Sequence, residues 1–356
     1  MSAAPVLIMA GGTGGHIFPG IAVARELMAR AVPVLWLGSE GGLETRLVPQ
    51  AGIELKTIAI SGVRGKGIAS LLAAPLKIFR AVIAAWKLIG TTRPRSVLSM
   101  GGYVAGPGGI AAWLRGVPLV VHEQNSIAGT TNRILAKFAR CRLCGFAGAL
   151  PRSEWVGNPV RAEIAALAPP AERFAKRPAS ANLLVLGGSQ GARALNKALP
   201  AALAMMPESA RPQVRHQCGA RLADEARAAY AQAGVEASVE PFIDDMAAAY
   251  AWADFVVCRA GALTIAELCA AGIGSLLVPF PFAVDDHQTR NAMWMVEHGA
   301  AQSVQESKVD ASPLGPVLRI RERRASLLKA AEAARALAKP LAAANIADIC
   351  LQVASA

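Results

Sequence analysis

The sequence predicts two doubly wound α/β domains. Three observations point there: a length suited to two cores, a composition rich in Ala, Gly, Leu and Val, and a strand–glycine turn–helix pattern that occurs twice. At 356 residues the chain is long for one domain, and its 53 % hydrophobic residues can fill two cores. Aromatics make up 5 %, which suits layered α/β packing better than an all-β sandwich. The first apolar run, Pro5 to Ala10, ends in Gly11-Gly12-Thr13-Gly14-Gly15. It leads into a helical pattern with Ile21, Val23, Ala24, Leu27 and Met28 on one broad face. The second run, Asn182 to Leu186, ends in Gly187-Gly188-Ser189-Gln190-Gly191 and leads into a helix-like stretch, Ala194–Met205. The turns stand 176 residues apart, almost half the chain, so each half repeats one plan.

Further buried strands are expected in order. Pro33–Leu37, Leu55–Ile60, Ser96–Met100 and Val117–Val121 belong to the first half; Val214–Gln217, Phe255–Cys258 and Ser275–Pro279 belong to the second. Ala-rich amphipathic segments lie between them. The linker is placed near Gly157-Asn158-Pro159, extending toward Pro169-Pro170, which gives domains 1–161 and 162–340. Pro340 breaks the last long helical run, and Leu341–Val353 reads as a terminal helix.

Charge is one-sided. Between Lys56 and Ser153 fourteen Lys or Arg face a single acid, Glu123, while the rest of the chain is close to neutral. Such a field implies an anionic partner: nucleic acid, acidic lipid or a phosphorylated substrate. Cys141 and Cys144 form the one close cysteine pair, and a lone C-x-x-C points to reduced thiols rather than zinc. The N-terminus lacks a charged region followed by an apolar core, so a cytoplasmic protein is expected. Lys77, Arg80 and Lys87 interrupt the apolar stretch Ile68–Ile89, which argues against a spanning helix. Within it Leu72, Leu76, Phe79, Ile83 and Trp86 follow helical spacing. That stripe fits either a buried domain helix or a helix lying in a lipid interface.

The glycine turns suit phosphate. A Gly-rich turn opening a helix leaves backbone N–H groups unpaired and has no Cβ to block an approaching anion. The first turn is not a dinucleotide fingerprint, because Ile17 occupies the place of the third Gly. No nicotinamide or flavin cofactor is expected. His16 follows the turn at the helix start, where an imidazole can serve as general base. Arg259-Ala260-Gly261 leads from the strand Phe255–Cys258 into a helix carrying Glu267 in its second turn. A carboxylate so placed can accept both hydroxyls of a ribose while the helix start takes a diphosphate. Asp285-Asp286-His287-Gln288-Thr289-Arg290-Asn291 supplies polar groups suited to sugar hydroxyls. Without further clustered ligands, no metal is assigned to the two aspartates.

Together these stretches resemble the MurG family of glycosyltransferases. The matching pieces are GGTGGH at Gly11–His16, GGYVAGP at Gly101–Pro107, HEQN at His122–Asn125 and GNPVR at Gly157–Arg161. They continue with GGSQGA at Gly187–Ala192, FIDDM at Phe242–Met246 and RAGALTIAE at Arg259–Glu267. The resemblance runs end to end and in order. It implies a GT-B architecture, two Rossmann-like domains facing across a cleft, with residues 341–356 packing back on the first domain. It also implies transfer of N-acetylglucosamine from UDP-N-acetylglucosamine (UDP-GlcNAc) to the 4-hydroxyl of an undecaprenyl-pyrophosphoryl muramyl pentapeptide, converting lipid I to lipid II at the cytoplasmic face of the bacterial inner membrane. Donor contacts carried over by the resemblance fall on Thr13, Gly14, Gly15, Asn125, Arg161, Ser189, Ile243, Ala262, Leu263, Thr264, Ile265, Ala266, Glu267 and Gln288. Ile243 would hold uracil through backbone groups, Glu267 the ribose and Gln288 the sugar. The acceptor would lie against the N-terminal domain, itself peripheral to an anionic membrane.

Two departures stand out: His287-Gln288 where related sequences tend to have two glutamines, and Gly272-Ile273-Gly274 where they carry Gly-x-Pro. The reaction implied is a single inverting displacement, with His16 as the expected base and helix N-termini plus Arg161 neutralising the leaving diphosphate without a metal. A sugar-nucleotide 2-epimerase on the same fold is the rival enzyme. A nucleic-acid-binding protein is disfavoured by the scarcity of aromatics and of recognised motifs.

Overall fold

A computed structural model describes residues 4–60, 68–177, 181–188, 190–309, 311–320 and 322–355; the side chains of 68–73, 311–313 and 316 lie outside that description. The chain forms two compact units, Met1–Val160 with Lys339–Ala356, and Arg161–Ala338.

Unit 1 is built on strands β1 (Val6–Ala10), β2 (Val34–Ser39), β3 (Glu54–Ile58), β4 (Ser96–Gly101), β5 (Leu119–Glu123), β6 (Cys141–Cys144) and β7 (Glu154–Trp155). They lie in the order β3-β2-β1-β4-β5-β6-β7, with parallel pairing throughout. Unit 2 contains β8 (Asn182–Leu186), β9 (Gln213–Gln217), β10 (Ser238–Glu240), β11 (Phe255–Cys258), β12 (Ser275–Leu277) and β13 (Ala301–Ser303). Their order is β10-β9-β8-β11-β12-β13, again parallel. The central strands are apolar runs because helices cover both faces; every residue of β1 is fully buried. In each unit the chain winds outward from its first strand and then returns to that strand's other side. The reversal falls between β1 and β4 in unit 1 and between β8 and β11 in unit 2. At such a switch point, loops at the carboxyl ends of neighbouring strands part and leave room for a ligand.

Several strand ends differ from the sequence expectation. β5 starts at Leu119 rather than Val117, because Gly116 turns the chain at φ 67° and Pro118 has no N–H. β3 stops at Ile58, where Ile60 N–H bonds back to Ile58 O at 2.9 Å. β12 stops at Leu277, short of Pro279. β6, β7, β10 and β13 were not expected at all. Cys141 and Cys144 lie three apart on β6 and so point to opposite faces of the sheet.

The terminal helix Ala342–Ser355 belongs to unit 1. It buries Ile346, Ala347 and Cys350 in the same core as Ile17, Val23 and Leu27, and Ser96 Oγ donates to Cys350 O at 2.7 Å. The helix Ile68–Thr92 lays Ala81, Ala85 and Ile89 against the sheet core. These residues recur every fourth position, and the two alanines let the helix sit close. Consequently the stripe Leu76, Phe79, Ile83 and Trp86 faces solvent, with Phe79 62 % exposed; the side chain of Leu72 lies outside the described residues. Among the described residues no helix is long and apolar enough to cross a membrane.

Candidate active site

In unit 1 the loops after β1, β4 and β5 converge, since these strands are neighbours. Thr13 caps the helix Gly14–Ala29 with extended backbone, φ −121° and ψ 157°. The N–H groups of His16 and Ile17 both reach Thr13 O, at 3.1 and 3.3 Å. Those of Gly14 and Gly15 have no partner within the helix and are available to an anion. Thr13 and Gly15 are exposed.

Fully buried Glu44 holds the turn from beneath. Its carboxylate accepts from Ser39 N at 2.8 Å, Ser39 Oγ at 2.6 Å and Gly12 N at 3.2 Å. A Cβ on Gly11 would stand 2.5 Å from that carboxylate, so Gly11 is glycine to admit Glu44 rather than to approach phosphate.

Half-buried His16 places Nδ1 2.8 Å from Gln124 Oε1, in the loop after β5. Gly101, at φ +104°, leaves the space its imidazole occupies; a Cβ there would lie 3.1 Å from His16 Cε1. Asn125 directs its backbone N–H and its Nδ2 to Glu123 Oε1 at 3.0 and 3.3 Å. Buried Glu123 also accepts from Gly129 N and Asn132 Nδ2 at 3.1 and 3.0 Å, which fixes the loop.

In unit 2 the expected residues follow the carboxyl ends of β10, β11 and β12, on loops and the helices they open, apart from Arg161, which caps the short helix Ala162–Ala165; Ser189, after β8, lies outside the described residues. Gly261 caps the helix Ala262–Ala271, and Ile265 N–H reaches Gly261 O at 3.0 Å. Ala262 and Ile265 have buried side chains, so each offers a ligand its backbone only; Leu263, Thr264 and Ala266 are half-buried. The same holds for Ile243, 2 % exposed, which fits a backbone contact to a base.

Glu267 is the best-defined group of the site. Its Oε1 accepts from Arg161 Nη2 at 2.8 Å and Nε at 3.2 Å, and its Oε2 from Tyr250 Oη at 3.1 Å. Burial, followed by the Glu267 charge, pushes the Tyr250 phenol well up, so it stays protonated and donates. The carboxylate is thus oriented while Arg161 remains half exposed.

Gln288 Oε1 accepts from Ala260 N at 3.2 Å and Phe280 N at 3.0 Å. Two backbone donors on the oxygen settle which end of the amide is which and leave its NH₂ as the donor end. Buried Asn291 donates to Ala260 O at 3.2 Å, pinning the same peptide.

His287, one of the departures, gives its Nδ1 hydrogen to Val284 O at 2.7 Å and so braces the loop. Gly272 ends its helix in the left-handed region at φ 63°. Asp285 and Asp286 also have positive φ, and among the described residues no three metal-ligating side chains cluster.

Glu44, Tyr250 and Gln124 are functional neighbours that the sequence alone does not single out. Glu44 had a signal, an acid beside Gly41-Gly42 at the end of an apolar run. Gln124 stands inside the HEQN stretch but without a role of its own there, and Tyr250 had no signal.

Two family models match: the glycosyltransferase family 28 N-terminal domain over residues 6–143 and its C-terminal domain over residues 182–348. A Xanthomonas campestris pv. campestris (strain 8004) protein is 61 % identical over 354 residues, 99 % of this chain and 83 % of its own length. A Xylella fastidiosa (strain Temecula1) protein is 58 % identical, covering 98 % of this chain and 96 % of its own. Both are named UDP-N-acetylglucosamine–N-acetylmuramyl-(pentapeptide) pyrophosphoryl-undecaprenol N-acetylglucosamine transferase. Among solved structures, Acinetobacter baumannii MurG is similar with a TM-score of 0.88 and 38 % identity, over 98 % of this chain and 99 % of that one. The two parallel-sheet units match the GT-B plan.

Proposed function

The chain belongs to glycosyltransferase family 28, and on that premise we propose that it moves N-acetylglucosamine from UDP-N-acetylglucosamine to the 4-hydroxyl of an undecaprenyl-pyrophosphoryl muramyl pentapeptide, the step from lipid I to lipid II. The observation that carries this reading is Glu267, a carboxylate pre-aimed by Arg161 and Tyr250 in the second turn of a helix whose start can take a diphosphate.

Unit 2 holds the donor. The backbone at Ile243 meets uracil, Glu267 accepts the ribose hydroxyls, the N–H groups at Ala262 to Ala266 and the hydroxyl of Ser189 take the diphosphate, and the Gln288 NH₂ meets the sugar. Unit 1 holds the acceptor and contributes Thr13, Gly14, Gly15 and Asn125 to the donor's phosphate and sugar. In the transfer, His16 Nε2 takes the proton of the muramyl 4-hydroxyl as that oxygen bonds to the anomeric carbon. The bond from this carbon to the β-phosphate oxygen breaks, its electron pair leaves with uridine diphosphate, and α becomes β. Charge growing on the diphosphate is met by helix N-termini and Arg161, preorganised dipoles and a fixed cation that need no metal.

Unit 1 also bears the surface suited to a membrane. Leu76, Phe79 and Trp86 on the helix Ile68–Thr92 are exposed, as are Trp113 and Leu114 on the helix packed beside it, and Phe138. The Trp113 and Phe138 rings lie 5.3 Å apart, tilted by 34°, and the Arg115 guanidinium lies 3.5 Å from the centre of the Trp86 ring. Aromatics and cations at one face suit an anionic headgroup layer, with each Lys or Arg contributing about 1 kcal/mol near such a surface.

One assay tests the whole reading: transfer of labelled sugar from UDP-GlcNAc to the muramyl lipid in anionic vesicles, in excess chelator, at low and high salt. The expected result is a β-linked product, a rate indifferent to chelator and a rate that falls with salt. Conversion of donor alone to an epimer, or loss of activity in chelator restored by magnesium, contradicts the chemistry. A salt-independent rate contradicts the electrostatic docking.

A further inference from the structure

We propose that Gln124 is a positioning residue which, held by His122, fixes His16 in the tautomer whose Nε2 is the bare, proton-accepting nitrogen. This rests on the assignment of His16 as the base and supplies the device that makes it one.

Four groups form a line: the Gly157 carbonyl, the His122 ring, the Gln124 carboxamide and the His16 ring. Gly157 O lies 2.9 Å from His122 Nε2. Gln124 Nε2 lies 2.9 Å from His122 Nδ1 and 3.0 Å from His122 O. Gln124 Oε1 lies 2.8 Å from His16 Nδ1. His122 is fully buried and Gln124 1 % exposed.

The two backbone carbonyls can only accept, and that settles every hydrogen in the line. Gly157 O requires the hydrogen of His122 on Nε2, which leaves His122 Nδ1 bare. His122 O requires the NH₂ end of the Gln124 amide to face it, and the second amide hydrogen then meets bare His122 Nδ1. The oxygen end of Gln124 therefore faces His16, so His16 Nδ1 carries the hydrogen and Nε2 does not. Reversing His122 or Gln124, both buried, sets donor against donor or lone pair against lone pair where solvent does not reach, and reversing His16 sets its bare Nδ1 against the Gln124 oxygen.

Protonating His122 on both nitrogens would break the line too, and burial above all prevents it by pushing this imidazole down to about 4. Asn158 Nδ2, donating to Gln124 O at 2.9 Å, holds the amide's own backbone. When His16 takes the hydroxyl proton, its Nδ1 hydrogen goes on being donated to Gln124 Oε1, now as a charge-assisted bond.

The test is nitrogen-15 spectroscopy of protein labelled at its five histidines, with His16→Ala identifying the His16 signals, together with kinetics of Gln124→Met. The unmodified protein should show His16 hydrogenated on Nδ1 and His122 on Nε2. Gln124→Met should shift His16 toward the Nε2-hydrogenated form and lower kcat by roughly ten- to a hundredfold, with donor KM changed less than about twofold. His16 hydrogenated on Nε2 in the unmodified protein, or an unchanged kcat in Gln124→Met, overturns the proposal. If Gln124→Met does not fold, the spectrum of the unmodified protein decides alone. The two ideas fail separately. Full activity in His16→Ala removes the base whatever the spectra show, whereas an impaired His16→Ala with the wrong tautomer removes only the role of Gln124.

Discussion

His16→Ala is expected to lower kcat by about 10² to 10⁴, the usual span for a positioned acid–base group, while donor affinity stays within about twofold. The reason is geometric. His16 sits at the start of the helix Gly14–Ala29, half-buried, with its ring against Gly101 and its Nδ1 tied to Gln124. Among the described residues of unit 1, none is bonded to its other nitrogen as Gly12 and Ser39 are to Glu44. The variant should therefore melt close to the parent and bind uridine diphosphate as the parent does. Single-turnover rates separate chemistry from product release. An unchanged single-turnover rate would remove His16 from the reaction.

Glu267→Ala is expected to weaken uridine diphosphate binding by about 2–4 kcal/mol, roughly 30- to 1,000-fold, from loss of charged hydrogen bonds to the ribose. Arg161 then loses the Glu267 carboxylate, and the Tyr250 hydroxyl, in a fully buried side chain, loses that acceptor. Titration calorimetry reads this directly. Tyr250→Phe makes an informative companion because it keeps the carboxylate and removes one of its supports; about 1 kcal/mol, near fivefold, is expected there. Equal affinity for Glu267→Ala and the parent would exclude the ribose contact.

Much of this architecture was legible because its information is local. β1, β8 and β11 are apolar runs next to glycine turns, and a strand buried on both faces needs little else to declare itself. β7, β10 and β13 left no such trace. They are edge strands of two or three residues, and Ser238-Val239-Glu240 and Ala301-Gln302-Ser303 are mostly polar. Their pairing comes from the sheet beside them.

The site divides in the same way. Glu267, Gln288 and the turn Gly11–Gly15 show through spacing and through resemblance. The partner of His16 lies 108 residues away along the chain, and only the adjacency of β1, β4 and β5 brings the two together. Tyr250 beneath Glu267 likewise depends on how the helix Met246–Trp252 meets the helix Ala262–Ala271. The stripe Leu76, Phe79, Ile83 and Trp86 was open to two readings, because helical spacing tells which residues share a face and not what that face meets. Ala81, Ala85 and Ile89 took the core side, and the large side chains were left outside.

Unit 2 is expected to grip the nucleotide by Glu267 and the helix start beside it. A crystal structure with bound UDP-N-acetylglucosamine tests this most directly. The ribose hydroxyls should lie within hydrogen-bonding distance of Glu267, the diphosphate against the N–H groups that begin the helix Ala262–Ala271, and uracil on the backbone at Ile243. Density for the nucleotide at any other place, with Glu267 still bound only to Arg161 and Tyr250, would contradict it.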